Sequence, residues 1–136
     1  MREALAIIAF LVSTPVRAEV SCELLVEYDR AAGTNFRGMP QLTPIPGATE
    51  CALFEDEYNT FQCTWDIADQ EEDEEIYESL LTSVQSCFPD LTVDVIKDSP
   101  PLRSARFFTK AAVFYLSMGT NSADRPPRIL FEVQQR

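Results

Sequence analysis

The chain has 136 residues, 22 of them acidic and 11 basic, for a formal net charge of −11, and it contains no histidine. A surface of that sign is repelled by nucleic acid and by anionic membranes, and the lack of imidazole excludes Ser-His-Asp and Cys-His catalysis along with most zinc hydrolase sites. Gly-rich phosphate loops, nucleotide fingerprints and calcium-loop patterns are likewise missing from the sequence.

Residues 1–18 have the build of a secretory signal peptide. Arg2 lies in a short basic start, an apolar run extends from Ala4 to Val12, and Val16-Arg17-Ala18 forms a small-x-small ending. The run is far short of the roughly 20 residues that cross a bilayer, so the expectation is cleavage after Ala18 and no membrane insertion afterwards. A lipoprotein reading through Cys22 is disfavoured because Glu19 stands where an aliphatic residue is needed. The leader carries two Arg and one Glu, so its removal takes the net charge from −11 to −12. Residues 19–136 then form one exported domain, periplasmic or secreted.

Within that domain Ser21 reads as the N-cap of a first helix, with Val20 stapled onto Leu25. Leu24, Leu25, Tyr28, Ala31 and Ala32 repeat at helical spacing, and Gly33 supplies the stop. The stretch 34–49 holds Pro40, Pro44 and Pro46, which suggests one short extended piece around Phe36 and then a loop. In 50–66, Phe61, Cys63 and Trp65 alternate with polar residues, and Cys51 and Leu53 mirror them across an acidic turn at Glu55, Asp56 and Glu57, which predicts a β-hairpin. Trp65 shares its face with Phe61 and Cys63 and is expected in the core.

The second helix is signalled by Ile76, Leu80, Leu81, Val84, Cys87 and Phe88, ended by Pro89 and opened by an Asp69/Glu72 capping box. Five acids, Glu71, Glu72, Asp73, Glu74 and Glu75, occupy its first turns, where the helix dipole favours negative charge. Leu91, Val93 and Val95 predict a short strand broken by Ser99-Pro100-Pro101. Residues 105–118 satisfy both a long strand and a buried helix, and the aromatic and β-branched content favours the strand. Ile129, Phe131 and Val133 alternate in a last strand that makes a terminal hairpin with it. Apolar residues on both sides of the 105–118 segment, Phe107, Phe108, Phe114 and Tyr115, leave one sheet face in need of cover.

The four cysteines of an exported chain form two disulfides. Cys51 and Cys63 fall on one face of the hairpin, nearly opposite, which favours Cys51–Cys63 and Cys22–Cys87, although four cysteines allow three pairings. Their wide spacing and the missing histidines give no metal knuckle, and no cofactor is implied. The expected fold is α+β: an antiparallel sheet of about five strands with two helices on one face, in the order α-β-β-β-α-β-β.

This order, with the spacing of Phe36-Arg37-Gly38, Cys51, Cys63-x-Trp65 and Cys87, resembles a group of small exported proteins of Gram-negative bacteria that look like type III secretion chaperones in fold. The resemblance implies that fold and an inclination to dimerise or to hold another protein. Chaperones of that type are cytoplasmic and lack disulfides, so this chain departs from them in its cysteines and its leader.

Three functions follow as expectations. The first is an acidic protein-binding module without a catalytic centre, inhibitor-like or an adaptor, docking a basic partner through Glu55, Asp56, Glu57, Glu71, Glu72, Asp73, Glu74 and Glu75. The second is a chaperone-like or structural envelope protein that forms a homodimer through an apolar sheet face. The third is a small hydrolase using paired carboxylates, disfavoured because the acids cluster on a turn and a helix start, where little burial raises a pKa.

Overall fold

The computed structural model describes residues 20–38, 41–55, 57–66, 70–99, 102–119 and 128–136, with the side chains of 70, 71 and 97–99 excepted. Residues 1–18, expected to be a signal peptide, lie outside those residues, as do Asp56 and Asp69 of the expected capping box.

Helix α1 spans Cys22–Gly33. Its start is the expected one: the Ser21 hydroxyl accepts from the Leu24 amide at 3.2 Å, and Val20 is buried beside Leu24 and Leu25. Its end is built differently. Gly33 is the last helical residue, and the left-handed positions are Asn35 (φ 52°) and Phe36 (φ 59°). The extended piece expected around Phe36 is therefore a tight turn, in which the Phe36 amide returns to the Ala31 carbonyl at 2.7 Å. Left-handed φ is costly for a side chain as large as Phe. Burial of the ring to 5% exposure offsets that cost, and the Asn35 carbonyl is held by Asn59 Nδ2 at 3.1 Å.

Strands β1 (Glu50–Glu55) and β2 (Asn59–Asp66) form the expected hairpin, followed by helix α2 (Gln70–Cys87) and strands β3 (Thr92–Ser99), β4 (Leu102–Phe108), β5 (Ala112–Met118) and β6 (Arg128–Gln135). The single strand expected over 105–118 is two strands. Thr109 makes the turn between them: its amide donates to the Ala112 carbonyl at 3.0 Å, and its hydroxyl oxygen accepts from the amides of Ala111 and Ala112. No Gly, Pro or Asn marks that turn, which is why the sequence pattern ran through it.

The six strands form one antiparallel sheet in the order β1-β2-β6-β5-β4-β3. Among the described residues the count is six rather than about five, and the order is α-β-β-α-β-β-β-β. β6 lies between β2 and β5, so the last strand joins the first hairpin to the β3–β6 meander. Phe61↔Val133, Cys63↔Phe131 and Trp65↔Ile129 face each other across that junction. All six are buried.

Both helices cover one face, packing chiefly on β5 and β6. The core between them stacks Tyr28 on Phe61 (ring centroids 4.8 Å) and Phe88 on Phe114 (5.4 Å). The favoured disulfide pairing is present. Cys51–Cys63 links directly opposed residues of β1 and β2, and Cys22–Cys87 ties the start of α1 to the end of α2.

Candidate functional site

The acids expected to form one docking patch separate into two groups. Trp65, Ile129, Met118 and Arg103 make one row across the sheet. There Arg103 meets α2, pairing with Glu78 and placing its guanidinium 4.6 Å over the Tyr77 ring. Phe88, beyond the helix end, sits on Phe114 in the row Phe61–Val133–Phe114–Phe107. Helix α2 thus runs from the Trp65 end of the sheet toward the β1–β2 turn. Glu72, Asp73, Glu74 and Glu75, which precede Glu78, lie at one end, while Glu55 and Glu57 border the other. The six residue steps from Asn59 to Trp65 put roughly 20 Å between those ends.

Burial changes the membership further. Asp73 is fully buried, unlike the exposed Glu72 and Glu75 and the half-buried Glu74. It lies one turn before Tyr77, on the stripe that faces the sheet, because the 3.6-residue period carries that stripe into the acidic run. Asp73 is therefore an interior group and not part of a docking surface. Glu72, Glu74 and Glu75 enter no ion pair among the described residues. Glu71 and Asp56 fall outside the described side chains. Trp65 is in the core, as expected, with its indole N–H buried and no acceptor among the described residues.

A cleft of about 340 Å³ opens between α1 and the proline loop, lined by Ser21, Glu23, Leu24, Glu27, Thr43 and Pro44. Tyr28 anchors that loop from below. Its hydroxyl donates to the Thr43 carbonyl at 2.5 Å, and burial, with the Glu27 charge adding, raises its pKa far above the ordinary tyrosine value.

Among the described residues the second sheet face carries no helix. Alternation sends Phe107 and Phe114 into the core and turns Phe108, Val113 and Tyr115 outward, where they are half-buried. The sequence pattern found those side chains but missed their neighbours. Register places Ala52, Gln62, Glu132, Tyr115, Arg106 and Asp94 in one row across all six strands. Gln62 Nε2 donates to Glu132 at 2.5 Å, and Arg106 donates to Asp94 at 2.7 Å. The face is therefore a charged row flanked by apolar side chains and not a continuous apolar surface. Around Tyr115 it sinks into a depression of about 250 Å³ lined by Ile96, Arg106, Val113, Glu132 and Gln134. The signal for Arg106 and Glu132 was available as parity: each sits an even number of residues from an outward neighbour on its own strand. What parity lacked was the β5–β6 and β4–β5 register that brings them to either side of one tyrosine.

Among the described residues no group of three or more Cys, Asp or Glu converges as metal ligands, and no helix is long and apolar enough to cross a membrane. No protein-family model, curated protein or solved structure matches the chain.

Proposed function

We propose that this chain is an exported protein-binding module without a catalytic centre of its own, and that it docks through the helix-free face of the sheet. The observation that carries the reading is the depression around Tyr115, where half-buried apolar side chains and an ordered row of charges share a face that neither helix covers. Surfaces that mix aromatic anchors with a few fixed polar groups are typical of protein interfaces. Two disulfides suit work outside the reducing cytoplasm.

Position-specific photocrosslinking tests the reading in the cell that makes the protein. A photoreactive residue at Tyr115 should give a discrete protein adduct, whereas one at Thr82, exposed on α2, should give none. Adducts from position 82 alone would overturn it.

A second reading, docking of a basic protein at the α2 start, is favoured by the exposed, unneutralised carboxylates of Glu72 and Glu75. It predicts a cationic partner retained at ~50 mM salt, released at ~300 mM, and not retained by the Glu72→Gln/Glu74→Gln/Glu75→Gln variant. Equal retention by parent and variant would end this reading.

A further inference from the structure

Resting on the reading of the helix-free face as the docking surface, we infer that its occupant is a second copy of this chain, packed face to face about a two-fold axis running along β5 through Tyr115. Charge complementarity selects that occupant. In the central row, Arg106 on β4 and Glu132 on β6 flank Tyr115 on β5. A two-fold axis in the plane of the interface, parallel to β5, carries β4 of one copy onto β6 of the other. Arg106 then meets the other copy's Glu132, Glu132 meets its Arg106, and Tyr115 meets Tyr115. Two ion pairs form from one row because the interface is isologous.

Several features of the molecule favour this arrangement over a partner of other chemistry. The two charges stand on the strands that border β5 on either side, each about 4.8 Å to one side of the axis. Aligned sheets pack rotated by about 30°, which displaces groups that close to the axis by only about 2–3 Å. Each charge is also pre-oriented within its own chain: Asp94 holds Arg106, whose side chain is 45% exposed, and Gln62 holds Glu132. Above the charged row, Phe108 and Val113 are adjacent in register, with the Arg106 and Arg136 guanidinium groups 5.7 and 5.5 Å from the Phe108 ring. Five strand spacings by about seven residues cover roughly 500–600 Å² per copy. Two copies together bury about 1,100 Å², just above the ~1,000 Å² that a specific interface needs. The excess of acidic over basic residues on each copy opposes approach, but at 0.15 M salt that repulsion is screened beyond ~8 Å while contact pairs are screened much less.

Sedimentation equilibrium of the oxidised protein tests the inference. The parent should show a reversible monomer–dimer equilibrium. Arg106→Glu and Glu132→Arg should each raise the dissociation constant about tenfold or more, since each places two like-charge contacts across the axis. The double variant should return to within about threefold of the parent, because the exchange restores both pairs. Trp65 emission and far-UV dichroism check that each variant folds. Tyr115→Arg, which sets two like charges on the axis itself, gives the same loss by an independent route if a charge reversal fails to fold. A parent that stays monomeric to about 0.5 mM, or a dimer with one dissociation constant in all four variants, overturns self-docking. The wider reading of the face fails separately, when the photoreactive residue at Tyr115 captures neither this chain nor any other protein.

Discussion

At the scale of single residues, positions that look alike in sequence do different work. Gly33 reads as a helix stop, yet the left-handed turn is made by Asn35 and Phe36, and what Gly33 supplies is space: a Cβ there would sit 3.2 Å from the Ala111 Cβ. Gly33→Val is expected to cost about 1–3 kcal/mol through overpacking between α1 and the β4–β5 turn, read as a lower denaturant midpoint at unchanged slope. Tyr28 reads as one more apolar residue of the helix stripe, yet its hydroxyl holds the proline loop through the Thr43 carbonyl. Its folded pKa is raised above the unfolded value of 10.0, chiefly by burial. The stability this group contributes is complete below about pH 10 and is lost as pH rises from there toward the folded pKa, because the unfolded chain ionises first. Tyr28→Phe should cost about 1 kcal/mol at neutral pH. The stability difference between parent and variant should then shrink above pH 10; a constant difference up to pH 11.5 would contradict the assignment.

At the scale of elements, the strongest features are those in which local pattern and long-range tie agree. Helix α1 has its cap and its buried stripe in the expected places, and its first residue is bonded to the last residue of α2. The Cys22–Cys87 bond spans 65 positions and Cys51–Cys63 spans 12. Chain-entropy arguments assign about 4 kcal/mol to the longer loop and about 3 kcal/mol to the shorter. Replacing Cys22 and Cys87 together by Ser should therefore lower the denaturation midpoint more than replacing Cys51 and Cys63, whose strands are already paired by their ladder. The reverse ranking would show that the hairpin depends on its bond more than on its register. The β4–β5 hairpin is the element that local pattern missed. Thr109 turns the chain with its hydroxyl, which also donates to Asp29 of α1, so the turn is specified partly by a helix 80 residues earlier.

At the scale of the whole molecule, one sheet integrates everything described. Because β6 is inserted between β2 and β5, it alone joins the β1–β2 hairpin and the β3–β5 meander into one sheet. The protein's only tryptophan is buried at this junction, opposite Ile129. Unfolding of the oxidised protein followed by Trp65 emission and by far-UV dichroism should give one coincident transition. Two separated transitions would mean that the hairpin and the meander melt independently. The same insertion sets Glu132 beside Tyr115 on the outer face and so creates the charged row.

Both helices with their inward residues, the β1–β2 hairpin and the inward-facing Trp65 were legible in the sequence, which also favoured, without compelling, the cysteine pairing that the structure shows. Each rests on periodicity within one element, or on two residues brought opposite each other by a short turn, and such patterns are local. Packing in three dimensions set the position of β6, the burial of Asp73, the division of the acids between two ends of the sheet, and the row that places Arg106 and Glu132 on either side of Tyr115. Strand order and register couple residues far apart in the chain through backbone hydrogen bonds that any side chain tolerates, so composition and spacing carry little trace of them. The left-handed turn at Asn35 and Phe36 belongs with these, since only the surrounding core holds a phenylalanine in that conformation.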